Sequence, residues 1–158
     1  NALDDFLFHN GNNSYILDGD NIRSGLNSDL DFSDEGRHEN IRRISEAAKL
    51  FIDSGLIAIT AFISPFRKER DLCRHLLDNN EFVEIFLDCP LAICEQRDVK
   101  GLYKKARSGK LKNFTGIDSP YEPPVNPELT IKTGQHTVEE CVQQIIAYLI
   151  EKKYISVK

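Results

Sequence analysis

The chain has 158 residues, 28% of them charged and 41% hydrophobic, with a formal net charge of -5. That length predicts one domain able to bury a core without staples, and the acidic balance excludes nonspecific nucleic-acid binding, which needs a basic excess. No apolar run reaches membrane-spanning length, and Cys73, Cys89, Cys94 and Cys141 lack CxxC or zinc spacing, so reduced thiols in a cytoplasmic protein are expected.

Residues 2–10 place Leu3, Phe6 and Leu7 at helical spacing, closed by Asn10-Gly11. Residues 14–17 read as the first strand and run into Asp18-Gly19-Asp20-Asn21-Ile22-Arg23. If that strand persists, Asp18 and Asp20, two apart, face one site. Two carboxylates there suit a metal, a base or both, and Arg23 offers a fork for an anion. A solvated Asp/Gly turn fits the same letters. Ser33-Asp34-Glu35 predicts an N-cap with acids in the first turn. The helix behind it carries Ile41, Ile44, Ala48 and Phe51 on one face and ends at Gly55.

The continuous apolar run over 56–62 predicts a strand covered on both faces, hence a parallel sheet. Ser64-Pro65 predicts the cap and first position of the next helix, with Cys73, Leu76 and Leu77 inward. Read this way Ser64 is a cap rather than a nucleophile, since no base adjoins it. Residues 82–87 form the next strand, and Pro90 starts a helix through Ile93 and Cys94. Residues 98–127 are rich in Lys, Gly and Pro, with helical character only over 102–107; such an excursion is a functional lid or a linker. A short strand over 129–131 follows. Thr137 and Glu140 then form a capping box for a helix with Val138, Cys141, Val142, Ile145 and Leu149 on its apolar face.

Strand and helix alternate, which predicts an α/β doubly wound parallel sheet with helices on both faces. Ligands of such sheets bind beyond the carboxyl ends of the strands, where Asp18, Asp20, Ser64 and Asp88 fall. Lys100, Lys104, Lys105, Arg107, Lys110 and Lys112 concentrate positive charge in the 98–127 stretch. Mobile cations closing over phosphates are what phosphoryl transfer needs; a solvated face is the plainer alternative. Phe32, Arg37, Asn40, Arg42 and Arg43 form a second cluster, in which Arg37 and Asn40 share a helical face. With Arg23 they can hold a doubly anionic substrate while Phe32 stacks on a ring. Arg97 can stack on a base or sit on the surface. His9, His38, His75 and His136 have no partner spacing and no assigned role.

The runs Leu17-Asp18-Gly19-Asp20-Asn21-Ile22-Arg23, Glu39-Asn40-Ile41-Arg42-Arg43, Thr60-Ala61-Phe62-Ile63-Ser64-Pro65 and Lys100-Gly101-Leu102-Tyr103-Lys104-Lys105-Ala106-Arg107 resemble the adenylyl-sulfate kinase (APS kinase) family of P-loop kinases. So does Asn113-Phe114-Thr115-Gly116-Ile117-Asp118-Ser119-Pro120-Tyr121-Glu122. The resemblance spans essentially the whole chain. It implies transfer of the γ-phosphate of Mg-ATP to the ribose 3′-hydroxyl of adenylyl sulfate, giving 3′-phosphoadenylyl sulfate, the activated sulfate donor. By position it implies an adenylyl-sulfate pocket of Arg23, Phe32, Arg37, Asn40, Ile63, Lys104 and Phe114, with the adenine between Phe32 and Phe114. Asp18 and Asp20 would order Mg²⁺ and take the proton from the 3′-hydroxyl, with the base left open between them. Lys104, Lys105 and Arg107 would lie over the phosphates and Arg97 on the ATP adenine. Ser64 corresponds to a serine assigned in the family as a phosphoserine intermediate, although in-line transfer between two bound nucleotides needs no covalent stop.

One departure is plain. P-loop kinases carry G-x-x-x-x-G-K-[ST] after their first strand, and these 158 residues contain no such motif. In the superfamily's usual strand order that strand is central, and a sheet without it leaves backbone groups unpaired in the core. The expectation is an N-terminally incomplete domain over 1–158, inactive as it stands. Kinase-like regions of the family also occur fused to ATP sulfurylases as non-catalytic nucleotide-binding allosteric domains, the alternative reading here. Retention of Asp18, Asp20, Lys104, Lys105 and Arg107 speaks for the enzyme, and Phe32, Arg37 and Asn40 with Phe114-Thr115-Gly116 against another small-molecule P-loop kinase. The resemblance further implies a homodimer, and a fused or associated sulfurylase is the partner to look for.

Overall fold

A computed structural model describes residues 1–78 and 80–156. In chain order these form α1 (Ala2–His9), β1 (Ser14–Asp18), α2 (Gly19–Ser24), α3 (Asp34–Asp53), β2 (Ile57–Ala61) and α4 (Arg67–Leu76). Then come β3 (Ile85–Asp88), α5 (Leu91–Arg97), α6 (Leu102–Arg107), β4 (Leu129–Lys132) and α7 (Val138–Glu151). The two helix starts with the plainest cap chemistry are where the sequence puts them. Ser33 Oγ accepts from Gly36 N at 3.1 Å to open α3. At α7, Glu140 N donates to Thr137 Oγ1 at 3.2 Å and Thr137 N to Glu140 Oε2 at 2.8 Å, the reciprocal capping box.

β1 pairs parallel with β2, from Ser14 opposite Ile57 to Asp18 opposite Ala61, and β3 pairs parallel with β4, from Ile85 opposite Leu129 to Asp88 opposite Lys132. Among the described residues these are two separate two-stranded sheets. They share one helical layer. Leu7 of α1, Ile131 of β4, Cys141, Ile145 and Leu149 of α7, and Ile155 form a buried cluster, onto which Ile57 and Ile59 of β2 and Ile85 and Leu129 of the other pair pack. α3 covers the opposite face of β1 and β2 through Leu17, Ile44 and Ala48, with Phe51, Ala58 and Phe62 alongside. Helices therefore lie on both faces of parallel strands, the doubly wound arrangement expected. Leu7 has no exposed surface, so Leu7→Ala should cost roughly 3 kcal/mol, measurable as a lowered denaturation midpoint at unchanged slope.

The inner edges of β2 and β3 are open. Ile57 N bonds Asn13 O at 2.9 Å, and on the other pair Leu129 N bonds Glu84 O at 3.2 Å and Thr133 N bonds Asp88 O at 3.0 Å. Hydrogen bonding alternates sides along a parallel strand, so Ala58 and Thr60 of β2, and Ile85 and Leu87 of β3, turn their backbone groups away from their partners. The expectation that 56–62 is covered on both faces is met, Ile57 and Ile59 packing on the α7 side and Ala58 and Phe62 on the α3 side; what is open is the second edge. Ile57, Ala58 and Ile59 are half-buried, Thr60 and Ala61 are exposed, and Leu87 is 58% exposed. The strand is apolar enough for a central position, but nothing among the described residues pairs with its second edge.

One correction concerns α4. It starts at Arg67, not at Ser64-Pro65, with Phe66 in the cap position and no side-chain cap of its own. Its first N–H is satisfied from a distance, Arg67 N donating to Glu122 Oε2 at 2.8 Å. Ser64 instead takes a left-handed backbone, φ 43, which is uncommon outside glycine and marks a constrained connection out of β2.

Candidate active site

At the carboxyl end of β1 the strand stops at Asp18, which caps α2. Its Oδ1 accepts from Asp20 N and Asn21 N, both at 3.0 Å, and its Oδ2 accepts from Asn21 Nδ2 at 2.5 Å. Asp20 therefore stands in the first helical turn, and the alternation of a persisting strand is not what aligns the two acids. A lysine 80 residues on in the chain shows that they share a locale. Lys100 Nζ lies 2.5 Å from Asp20 Oδ2. The Lys100 ammonium is held protonated above its ordinary range first by that bond to Asp20 and also by the charge of Asp18. Both partners are largely exposed, 66% and 82% by side chain, so the pair contributes little to folding stability.

Beside this lies a basic and aromatic cluster built around Arg37. Its Nε donates to Phe32 O at 3.0 Å, its Nη1 to Thr115 Oγ1 at 2.7 Å, and its Nη2 to Asn113 O. One guanidinium thus ties the Phe32 segment to the Phe114 segment. Arg23 stacks over the Phe32 ring, 4.3 Å from its centroid, and donates to Leu30 O and Asp31 O at 3.2 and 3.0 Å. Burial lowers the Arg23 pKa, and the nearby Arg37 charge lowers it further. Two guanidinia that repel each other in one place are a seat for an anion. Asn40 is buried on the same helical face as Arg37, while Phe32 and Ile63 are 60% and 62% exposed.

The loop of Phe114 is shaped by Asp118, whose carboxylate accepts from Asn113 N at 2.8 Å and Phe114 N at 2.5 Å. Those N–H groups, Phe114 first, hold the Asp118 pKa below its ordinary range. The Tyr103 ring meets Phe114 edge-on at 5.0 Å, joining α6 to this loop. Asp98 starts α6 by accepting from Tyr103 N and Lys104 N at 3.1 and 3.0 Å. The helix lies where the sequence predicts, with Lys104 and Lys105 exposed on it.

The structure therefore brings Asp18 and Asp20 together, and Arg23, Phe32, Arg37 and Phe114 together. Arg97 and Arg107 are engaged elsewhere: Arg97 Nη2 donates to Thr133 O at 3.0 Å, and Arg107 Nη2 pairs with Glu95 Oε1 of α5 at 2.6 Å. Ser64 is held through its carbonyl, to which Arg70 Nη1 donates at 2.6 Å. Lys100, Thr115 and Asp118 lie in runs that the sequence marks, but the sequence gives none of them a role of its own. Lys100 was visible only as one charge in the run that opens the 98–127 stretch. Among the described residues no three His, Cys, Asp or Glu side chains cluster as a metal cage.

The family model for adenylylsulphate kinase matches residues 1–132. A probable adenylyl-sulfate kinase from Halalkalibacterium halodurans is 64% identical over 149 residues, covering 94% of this chain and 74% of the relative. The adenylyl-sulfate kinase of Marinobacter nauticus is 57% identical over 155 residues, covering 98% and 78%. Among solved structures, the Mycobacterium tuberculosis APS kinase CysC in complex with AMPPNP and APS superposes with a TM-score of 0.89 at 45% identity, over 94% of this chain and 86% of that one. A hexameric APS kinase from Thiobacillus denitrificans matches with a TM-score of 0.74 at 31% identity, over 99% of this chain but 26% of its own. With the family model matching well over half of its length, this chain belongs to the adenylylsulphate kinase family.

Proposed function

We propose that this site transfers the γ-phosphate of ATP to the 3′-hydroxyl of adenylyl sulfate. The observation that carries the reading is Arg37, which joins the Phe32 and Phe114 segments beside Arg23 and so builds an aromatic and doubly cationic seat. An adenine fits between the two rings, and the phosphosulfate is an anion for the two guanidinia. The acceptor ribose then faces the acids at the end of β1.

Asp20 is the base. Asp18 has both oxygens bonded at the start of α2, whereas Asp20 gives one oxygen to an exposed lysine and is itself 82% exposed. In the reaction Asp20 takes the proton of the 3′-hydroxyl, the 3′-oxygen forms its bond to the γ-phosphorus, and the bond from that phosphorus to the bridging oxygen breaks to release ADP. Asp18 and Asp20 are the residues that would hold Mg²⁺, which would offset the negative charge of the phosphates. Ile63 contributes backbone beside the nucleotide, and Ser64 needs no covalent role. Lys104, Lys105 and Arg107 serve the lid, which requires Arg107 to exchange Glu95 for phosphate, and Arg97 lies at the ATP adenine.

Lys100 belongs with them. Its ammonium neutralises Asp20 while the phosphates are absent and stabilises the transferring group once they arrive. Lys100→Met should lower kcat by about a hundredfold while the melting temperature stays nearly constant, because an exposed pair is worth only about 0–1 kcal/mol.

The open edges of β2 and β3 support the proposal that a further parallel strand and its phosphate loop complete the domain there. The second reading is a nucleotide-binding allosteric domain of a sulfurylase fusion that never transfers phosphate. Self-association as a homodimer is part of the proposal, supported by the assembly named for the hexameric relative. Action in the cytoplasm is supported by four free thiols; no helix among the described residues is long and apolar enough to cross a membrane.

A coupled assay on the full-length protein separates the two readings. The enzyme releases ADP from Mg-ATP only when adenylyl sulfate is added. Adenylyl-sulfate binding without ADP release would leave the allosteric reading standing alone.

A further inference from the structure

Asn27 lies in the turn between α2 and α3, fully buried, and Asn40 is 4% exposed in the second turn of α3. Asn27 Nδ2 donates to Asn40 Oδ1 at 3.0 Å and reaches the Asn40 backbone carbonyl at 3.5 Å. Asn27 Oδ1 is buried without a partner. The backbone of Asn27 fixes the turn that delivers it, with Asn27 N donating to Ile22 O at 2.9 Å and Leu30 N to Asn27 O at 3.1 Å.

We infer that Asn27 is a positioning residue that sets the polarity of Asn40, so that Asn40 meets the nucleotide as a hydrogen-bond donor. This rests on the reading of Asn40 as part of the adenylyl-sulfate pocket. A side-chain amide has two ends of nearly equal shape, and only its partners decide which end points where. The Asn40 carbonyl can only accept, so it draws the NH₂ end of Asn27. That same NH₂ then faces the Asn40 side chain and holds its oxygen inward. The reversed pair would place the Asn27 oxygen against a carbonyl oxygen and bury two unpaired N–H groups in place of one unpaired oxygen, the costlier arrangement.

With its oxygen occupied, Asn40 has only N–H to offer outward. It therefore selects an acceptor on the ligand: an unprotonated ring nitrogen, a ribose oxygen or a phosphosulfate oxygen. A ligand presenting a donor at that point would meet N–H with N–H. Asn27 touches no ligand and acts only through its neighbour.

The test is calorimetric titration of adenylyl sulfate into the full-length protein bearing Asn27→Leu, Asn40→Ala or both, with melting temperatures recorded for each. Asn40→Ala should weaken binding by about tenfold. Asn27→Leu should weaken it by a comparable factor, and the double variant should bind no worse than Asn40→Ala alone. Losses that multiply would show Asn27 acting independently and overturn the inference while sparing the pocket. Unchanged affinity in Asn40→Ala would overturn the placement of Asn40 and the inference with it. Asn40→Asp keeps an acceptor for Asn27 but removes the outward donor, so it answers the question even if Asn27→Leu fails to fold. It should lose affinity by at least about tenfold, and wild-type affinity in Asn40→Asp would overturn the donor assignment.

Discussion

Asp20→Asn should abolish turnover, with a fall in kcat beyond about a hundredfold, while adenylyl sulfate binds within about tenfold of its normal affinity. The amide has the shape of the carboxylate but cannot take a proton from the 3′-hydroxyl. Little else in the fold depends on Asp20, since its side chain is 82% exposed and its recorded partner is an exposed lysine. Asp18→Ala is the informative contrast. Asp18 holds the first turn of α2 through Asp20 N and Asn21 N, so changing it perturbs the position of Asp20 and of Arg23 one turn later. Loss of rate in Asp20→Asn with intact binding identifies the base. A near-normal rate in that variant would place the chemistry elsewhere.

Arg37→Ala should weaken adenylyl-sulfate binding by about a hundredfold or more and leave ATP affinity nearly unchanged. The variant removes a cation from beside the phosphosulfate and deletes the contacts to Phe32 O, Thr115 Oγ1 and Asn113 O. Charge-assisted hydrogen bonds are worth about 1.5–3 kcal/mol each, and here their loss also separates the two aromatic segments. Calorimetric titration with each nucleotide measures both effects. Equal weakening of ATP and adenylyl sulfate would show Arg37 to be a structural tie rather than part of the acceptor seat.

The parts of the fold readable from sequence are those whose causes are local. Ser33 and the Thr137–Glu140 box carry their signals within a turn of the helix they begin. The start of α4 is not legible locally, because its first N–H is satisfied by Glu122, 55 residues away, while Ser64-Pro65 mimics a local start. The acids were found for a reason that only half holds. Asp18 and Asp20 do mark the site, but a helix cap arranges them rather than the alternation of a strand. Lys100 reaches Asp20 across 80 residues, and Arg37 reaches Thr115 across 78; neither distance leaves a trace in spacing. The open edge of β2 leaves no trace in the sequence, because an apolar strand announces that its faces are covered, not whether both of its edges are paired.

The most direct measurement is the position of the transferred phosphate. After incubating the full-length protein with Mg-ATP and adenylyl sulfate, phosphorus NMR of the nucleotide product should show a new monoester on the ribose 3′-oxygen, with the sulfate anhydride intact and ADP formed in equal amount. No phosphorylated adenylyl sulfate, or a phosphate on any other oxygen, would contradict the assignment of the Asp18–Asp20 end of β1 as the centre that activates the 3′-hydroxyl.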